Sequence, residues 1–355
     1  MNIDILSTYV MMALVEEIIP ETSFFKDRYF PTGAGDIFKA DKVLVEYRKA
    51  DRMMASFVAP RAGDIPVDRR GYEIHEFAPP HILPSRVLTI DDLKKRGFGE
   101  ALLAKSTQAE RAARIVIEDM KDLDLRIRRR EEWMCAQVMI NNACDMQEYI
   151  DAETKGELLR VRYYESASDH IYIVPEKWNS ADGDFFADVK TMCKALAKRG
   201  LKAADLILGT QVADYICDIP KVRDLLDNRR MEFGTLAPSL TSYPGVATIG
   251  VLNFGGFKLT LWEVDHEYVD ENGVSKSFFP PTAAMVTAPG CGHLMYGQIT
   301  QIEFGSSEFT THAAPRIPKL VVDQGKDTRK LRLGARPLAA PKDYCPYMFA
   351  PDVVS

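Results

Sequence analysis

The side chains that could perform chemistry in this sequence occur in two short clusters. Asp265, His266 and Glu267 are consecutive, while Cys291 and His293 are separated by one glycine just after a Pro-Gly turn. Asp265, His266 and His293 are of the types that bind a hydrolytic metal ion. Adjacent side chains on a strand point to opposite faces, however, so the first cluster is not expected to converge on one ion. We therefore predict no metal site and no cofactor.

Other catalytic signatures are missing from the sequence. It contains no GxxxxGK[ST] phosphate loop, no GxSxG nucleophile turn and no HExxH zinc motif. The six cysteines lie far apart without a CxxC pair, which favours reduced thiols in a cytosol over a zinc ribbon. We predict that the chain is not an enzyme. The alternative from another class is a metal-dependent hydrolase built on Asp265, His266 and His293.

The composition is that of a folded protein. Of 355 residues, 46% are hydrophobic and 27% are charged, with 45 basic against 51 acidic residues for a net charge of −6. These values exclude a largely disordered chain and argue against a dedicated DNA-binding module, which would carry a basic excess. The length suits two or three compact units. No apolar run approaches the roughly 18–20 residues of a membrane span, and no secretory signal is expected.

One long helix dominates the predicted elements. Apolar residues recur at steps of three and four between residues 107 and 142, without an intervening Gly or Pro. At about 1.5 Å per residue, ~35 residues span roughly 50 Å. The residues that define the apolar face are Ala113, Val116, Met120, Leu123, Ile127, Met134 and Val138. This helix is expected to be a spine along one edge of an elongated molecule.

The segment before the spine predicts extended structure. Four aromatic residues, Phe24, Phe25, Tyr29 and Phe30, belong either to an arm that lays its rings on another surface or to an internal core strand. A strand is predicted at residues 42–47. Residues 56–89, punctuated by Pro and Gly, predict a long two-stranded excursion. An isolated hairpin is barely stable in water, so this one is expected to rest on something else, such as another subunit.

The spine carries the one basic cluster of the sequence. The cluster comprises Arg126, Arg128, Arg129 and Arg130. Asp122 and Asp124 lie four residues before Arg126 and Arg128, so pairing along the helix can neutralise half of it. Three interpretations stay open: a salt-bridged solvent face, a contact with a neighbouring subunit, and a contact with nucleic acid.

The remainder of the chain predicts mixed α/β structure. We expect a helix at 185–198 ended by Gly200, a buried strand at 205–209 and a helix at 210–217. An Asn-Gly pair predicts a hairpin turn at 272–273, because such turns need a positive φ. A strand is expected at 329–339, followed by a proline-rich tail.

In this order of elements the sequence resembles the major capsid proteins of tailed bacteriophages, and more specifically the lambda-type major capsid protein E family. Residues 56–63 and 77–81 are similar to the extended loop of that family. Residues 224–230 match its helix with a Leu-Asp-x-Arg-Arg ending, and residues 268–280 resemble its Asn-Gly hairpin, with one extra acidic residue. The resemblance covers residues 20–350.

The resemblance implies an α+β fold of the Hong Kong 97 type. Its expected parts are an N-terminal arm (1–41), an extended loop (42–95), a peripheral domain with the spine helix (96–165), an axial domain (166–325), and a return strand of the peripheral domain with the tail (326–355).

The resemblance also implies the function. The chain is expected to be a head protein that assembles into pentamers and hexamers of an icosahedral shell around double-stranded DNA. Its expected partners are other copies of itself, a portal protein, a scaffold, a head-decoration protein and non-specifically bound DNA, with no membrane. The expected location is the virion, after assembly in the host cytoplasm. The alternative is the shell of a cellular encapsulin-type nanocompartment. Predicted inter-subunit contacts are Phe24, Phe25, Tyr29, Phe30, Arg69, Arg70, Tyr72, Phe77, Arg128 and Arg129.

Overall fold

The structure, a computed structural model, describes most of the chain. The described residues are 11–12, 22–47, 73–89, 108–149, 154–164, 166, 168–220, 222, 234–240, 243–303, 307–323, 325 and 328–355. Arg69, Arg70 and Tyr72 lie outside them, as do the predicted helix at 224–230 and the first residue of the predicted spine, Thr107.

Four α-helices and nineteen strands are described. The helices are α1 (Phe24–Tyr29), α2 (Gln108–Asn141), α3 (Phe185–Lys198) and α4 (Thr210–Asp218), with a 3-10 turn at Ala34–Asp36. The strands are β1 (Val43–Tyr47), β2 (Glu73–Phe77), β3 (Ser85–Leu88), β4 (Ala143–Tyr149), β5 (Lys155–Arg162), β6 (Asp205–Gly209), β7 (Gly234–Leu240), β8 (Val246–Phe254), β9 (Phe257–Val264), β10 (Glu267–Val269), β11 (Ser275–Ser277), β12 (Ala284–Thr287), β13 (Gly292–Tyr296), β14 (Ile299–Ile302), β15 (Phe309–His312), β16 (Ile317–Asp323), β17 (Thr328–Gly334), β18 (Pro337–Pro341) and β19 (Met348–Ala350).

The predicted spine is the 34-residue helix α2. The residues of its predicted apolar face from Met120 to Val138 are buried, as the three- and four-residue spacing predicts. Asn142 follows the helix at φ 52°, a left-handed conformation that asparagine tolerates better than most residues. The chain reverses at this point and enters β4, which pairs with β5 in an antiparallel ladder.

Small sheets surround the spine. Strands β1 and β2 pair in antiparallel register from Val43 opposite Phe77 to Tyr47 opposite Glu73, which confirms the predicted strand at 42–47. Residues 56–72 of the predicted two-stranded segment lie outside the described residues. Strand β17 pairs with β16 on one side and β3 on the other. One face of this sheet buries Leu320 and Leu331 against the apolar face of α2. Strands β13 and β18 form a further antiparallel pair.

The second half of the chain builds a six-stranded sheet in the order β19-β12-β6-β9-β8-β7. Strand β6 is buried at all five positions, which confirms the predicted strand at 205–209. Strand β6 pairs in parallel with β9 and antiparallel with β12. Strands β8 and β9 are also antiparallel to each other. Helices α3 and α4 pack on this sheet and bury Val189, Met192 and Val212 in a separate hydrophobic core. Gly200 follows the end of α3 with a φ of 82°, which confirms its predicted place as the residue that terminates the helix.

The end of the chain differs from the expected single return strand at 329–339. Two strands, β17 and β18, occupy this region and are separated by Ala335 and Arg336. The proline-rich tail is not a loop throughout, because β19 pairs with β12 at the edge of the six-stranded sheet. Val353 and Val354 are buried in the core of that sheet. The apolar residues between the prolines of the tail are buried in that core. Their stretch of sequence is too short for a hydrophobic period to predict this burial.

Candidate assembly interface

The aromatic segment near the N-terminal end of the described chain is a short helix rather than an extended arm. Its four rings, Phe24, Phe25, Tyr29 and Phe30, are at most 1% exposed. The Phe24 ring lies 5.2 Å from that of Phe25 and 5.3 Å from that of Trp262 between centroids. The internal-core alternative therefore describes these residues, and the sequence pattern missed only that they are helical. The rings leave no aromatic surface for a neighbour to cover.

A buried network of charged side chains fastens α1 to the spine. Lys26 Nζ lies 2.6 Å from Glu131 of α2, and Arg316 places two nitrogens 2.6 and 2.9 Å from the same carboxylate. Arg316 also donates through Nε to Asp124 at 2.5 Å. Tyr296 donates its hydroxyl to Glu131 at 2.9 Å. Every oxygen of this carboxylate therefore has donors, which is the condition for keeping a charge inside a protein.

The two adjacent glutamates of the spine have pKa values that are shifted in opposite directions. Burial alone would raise the pKa of Glu131, but the charges of Arg316 and Lys26 outweigh it and hold the pKa at about 2. Burial raises the pKa of Glu132 to about 7, even though its carboxylate accepts the backbone N–H groups of Phe25 and Lys26 at 2.7 and 2.8 Å. Those two groups belong to the first turn of α1, where helix N–H groups lack partners within the helix.

The same short helix is also bound to the six-stranded sheet. Arg28 donates two hydrogen bonds to Asp205 of β6, at 2.7 and 2.9 Å, and Tyr29 donates its hydroxyl to the same carboxylate at 3.0 Å. The Arg28 guanidinium lies 4.5 Å from the Trp262 ring centroid. Helix α1 therefore connects the spine to the six-stranded sheet. These contacts could not be predicted from the sequence, because Lys26, Arg28 and Arg316 belong to no recognisable motif.

The arginine cluster of the spine is divided among different environments. Arg126 pairs with Asp122 at 3.1 Å and Arg128 with Asp124 at 3.0 Å, so the predicted pairing along the helix is confirmed. Arg130 covers the Trp133 ring and donates to Glu271 in the turn between β10 and β11. Arg129 is exposed. It lines, with Arg128, a cleft of about 460 Å³ between α1, α2 and the β10–β11 hairpin.

The stem of the extended hairpin is held on the body of the protein. Phe77, at the end of β2, packs edge-on against Tyr163 with the ring centroids 5.4 Å apart. Farther along, Arg86 of β3 donates to Asp119 of α2 at 2.7 Å and also to Asp122. Phe77 is half-buried within its own chain. The stem is therefore attached to the body of the protein at Phe77.

The structure places the two clusters considered for catalysis in different surroundings. The His266 ring lies 4.6 Å from the Phe278 ring, and His293 Nδ1 lies 3.3 Å from Asp36. Burial raises the pKa of the Cys291 thiol to about 12, which leaves it a poor nucleophile at neutral pH. Within the described residues, no three His, Cys, Asp or Glu side chains are close enough to hold a metal ion. Five of the six cysteines are buried, and Cys217 is partly exposed.

Comparison with solved structures defines the class of fold. A capsid protein of a prophage from Escherichia coli CFT073 matches with a TM-score of 0.69 and 16% identity, covering 99% of both chains. A phage-related protein from Bordetella bronchiseptica RB50 matches with a TM-score of 0.52 and 11% identity over 98% of both chains. An encapsulin from Synechococcus elongatus PCC 7942 matches with a TM-score of 0.39 and 10% identity over 80% of this chain and 78% of that one. The fold is that of the phage capsid proteins, the Hong Kong 97 type.

The family follows from the sequence. The model of the family described as phage major capsid protein E matches residues 7–348. The chain belongs to this family, and it is a shell-forming capsid protein. A search of curated proteins gave no match. Among the described residues, no helix is long and apolar enough to cross a membrane.

Proposed function

We propose that this chain assembles into hexamers and pentamers, which tile the icosahedral head of a tailed phage around double-stranded DNA. Assembly takes place in the host cytoplasm, and the chain catalyses no reaction. The observation that carries the proposal is the family match over residues 7–348.

The proposed contacts combine a rigid body with a projecting loop. The ion pairs of α1 bind the spine and the six-stranded sheet to each other within one chain. The paired strands β1 and β2 leave 25 residues, 48–72, between them. We propose that Arg69, Arg70 and Tyr72 in this segment lie on the adjacent copy. Head-to-tail contacts of this kind close into rings when the rotation between copies is suitable.

The arginines of the spine supply a second proposed contact. Arg129 is exposed, whereas Arg128 is engaged by Asp124, so Arg129 is the better candidate for a neighbouring copy or for DNA. Packaged DNA needs no sequence-specific contact, since phosphates attract any accessible cation. A portal protein, a scaffold and a head-decoration protein complete the proposed set of partners. The five-part division of the chain stays a prediction.

The experiment is to express the chain with its neighbouring head genes and to examine the product by negative-stain electron microscopy. We expect closed shells from the natural sequence. Arg69→Glu combined with Arg70→Glu should leave a folded, soluble subunit and no shells. The matched control is Lys194→Glu with Lys198→Glu, a double reversal on the exposed side of α3, which should still form shells. Normal shells from the Arg69/Arg70 variant would refute the proposed loop contact.

The contents of the shells test the rest of the proposal. Particles from infected or induced cells should protect double-stranded DNA from added nuclease. Particles that protect only a cargo protein would instead support the nanocompartment alternative. A natural chain that remains monomeric beside its neighbouring head proteins would contradict the shell function itself.

A further inference from the structure

Three positively charged side chains share the outer face of the sheet formed by β16, β17 and β3. Leu320 and Leu331 lie opposite each other in this sheet and are buried toward α2. Because side chains alternate between the two faces of a strand, Lys319 and Arg332, which are also opposite each other, lie on the face away from α2. Lys330 is on that face too, two residues or about 7 Å along β17 from Arg332. We call Lys319, Lys330 and Arg332 the cation cluster.

The described part of the chain gives the cation cluster no negatively charged partner. None of its three side chains forms an ion pair among the described residues. Arg332 donates from Nη2 to the neutral side-chain amide of Gln301 at 3.3 Å, and its Nε is buried without a partner. By contrast, Arg316 pairs with Asp124 and Arg336 with Asp41. Arg332 is therefore a half-buried arginine whose charge is left uncompensated.

The arrangement of Lys319 and Arg332 is electrostatically unfavourable. Like charges directly opposite each other in an antiparallel ladder destabilise it. Burial lowers the pKa of both side chains, and the charge of Arg332 lowers the pKa of Lys319 further. Glu303 acts on Lys319 in the opposite direction, but one of its oxygens already lies 2.6 Å from His312 Nε2 and accepts from Gln301 at 3.2 Å. Relief of the repulsion requires a negative group from outside the described residues.

An oxyanion has the chemistry that this cluster requires. Carboxylates and phosphates accept hydrogen bonds from arginine and lysine, and such charge-assisted bonds are stronger than neutral ones. The Cβ atoms of directly opposite residues are about 5 Å apart, so one oxyanion can bridge the head groups of Lys319 and Arg332. On the other side of Arg332, Ser85 of β3 is exposed and offers a hydroxyl donor on the same face.

The surroundings favour a single oxyanion over the backbone of duplex DNA. Lys319 and Arg332 are half-buried, and only Lys330 is fully exposed. Val321 and Val87 lie on either side of Lys330 and are 41% and 50% exposed. Duplex DNA presents a continuous row of phosphates, which an extended set of accessible cations binds best. A recessed pair of cations beside apolar side chains suits one compact negative group.

We propose that the cation cluster is an oxyanion-binding site, in which Lys319 and Arg332 together hold one carboxylate or phosphate group and Lys330 adds to its attraction. Two sources can supply this group: free phosphate, or a carboxylate of a neighbouring copy. Each copy carries 51 acidic against 45 basic residues, so carboxylates are in excess. The site does not depend on the proposed shell function, whereas the neighbouring copy as a source rests on it.

The first test measures the binding of radiolabelled inorganic phosphate to the soluble subunit by equilibrium dialysis at constant ionic strength. We expect one phosphate per subunit. Lys319→Gln and Arg332→Gln should each weaken binding at least about tenfold, since each removes a charged donor. Lys194→Gln removes an exposed lysine of α3 and is the matched control, which should bind like the natural chain. No saturable binding at millimolar phosphate, or equal binding by all four proteins, would overturn the proposal.

A second variant tests the site without loss of a partner. Lys319→Glu places a carboxylate directly opposite Arg332 and so supplies the missing negative group from within the chain. Opposite charges in this position stabilise a ladder. Without phosphate, the variant should therefore melt at a higher temperature than the natural chain, and it should no longer bind phosphate. A lower melting temperature, or unchanged phosphate binding, would contradict the proposed site.

Assembled shells distinguish the two sources. If a carboxylate of the neighbouring copy fills the site, shells of the natural chain should bind no phosphate although the free subunit does. One phosphate per subunit in the shells would instead identify free phosphate as the ligand. A chain that binds phosphate as a subunit but never assembles would contradict the shell function and leave the oxyanion site standing.

Discussion

Arg316 and Glu131 form a bidentate ion pair inside the protein, with N–O distances of 2.6 and 2.9 Å. The Arg316 side chain is 9% exposed and that of Glu131 is completely buried. Lys26 reaches the same carboxylate from α1, so one acidic group binds two cations from distant parts of the chain. We therefore expect the stability of the subunit to depend on this group more than on an exposed ion pair.

Removing the Glu131 charge should destabilise the subunit severely. Glu131→Gln leaves Lys26 and Arg316 with a neutral partner, and breaking one side of a buried ion pair costs about 3–5 kcal/mol. We expect the free energy of unfolding, measured with urea on the soluble subunit, to fall by about that amount. Glu157→Gln, at an exposed position of β5, is the matched control and should change it by less than about 0.5 kcal/mol. Equal stabilities of the two variants would contradict the proposed importance of Glu131.

The ion pair between Arg130 and Glu271 should contribute far less. Its side chains are 38% and 40% exposed, and such pairs contribute about 0–1 kcal/mol because water and salt screen them. Glu271→Gln should therefore lower the free energy of unfolding by no more than about 1 kcal/mol, and added salt should reduce the difference. A loss as large as that of Glu131→Gln would show that the β10–β11 turn anchors the spine much more firmly than its exposure indicates.

Glu132 should make stability depend on pH in the neutral range. Its pKa is raised from the ordinary 4.5 to about 7, so the folded chain holds this proton more tightly than the unfolded chain. The resulting stabilisation is complete below the ordinary pKa and is lost as the pH rises through the folded value. Glu131, whose pKa lies near 2, stays charged throughout this window and contributes no change.

The measurement is the free energy of unfolding from about pH 5 to about pH 7 for the natural chain and Glu132→Gln. The advantage of the natural chain should decline across this range by up to about 3 kcal/mol, since one pKa unit corresponds to roughly 1.4 kcal/mol. The Gln variant has no proton to lose at this position. Parallel pH profiles for the two proteins would rule out a raised pKa at Glu132.

Two glycines should respond oppositely to alanine. A Cβ at Gly292 would lie 2.2 Å from the Phe30 ring and 2.8 Å from the carbonyl oxygen of Ala340, so Gly292→Ala should cost about 1–3 kcal/mol through overpacking. Gly35 has nothing within 4 Å of the same position, and Gly35→Ala should be nearly neutral. Thermal unfolding of the two variants checks this. An unchanged melting temperature for Gly292→Ala would mean that Phe30 is not packed against β13.

Regular elements could be predicted from the sequence because each depends on local patterns. The spine follows from its three- and four-residue spacing, β6 from an uninterrupted apolar run, and the turn at Gly273 from the Asn-Gly pair. Helix α1 could not be distinguished from a strand, because four aromatic residues in seven positions satisfy either geometry when all of them are buried. Strand β19 was missed because short apolar runs among prolines carry no period.

The interactions that join the elements could not be predicted. Lys26, Glu131 and Arg316 each lie more than a hundred residues from the other two along the chain, and single charged residues give no sign of their partners.

The burial of the thiols has a practical consequence. Five cysteines are inaccessible, and Cys217 at the end of α4 is the partly exposed one. A maleimide dye should therefore modify Cys217 before the others, which gives each subunit a single natural attachment point on the helical side of the six-stranded sheet. Energy transfer between dyes on neighbouring copies would then follow shell formation in real time without engineering the chain.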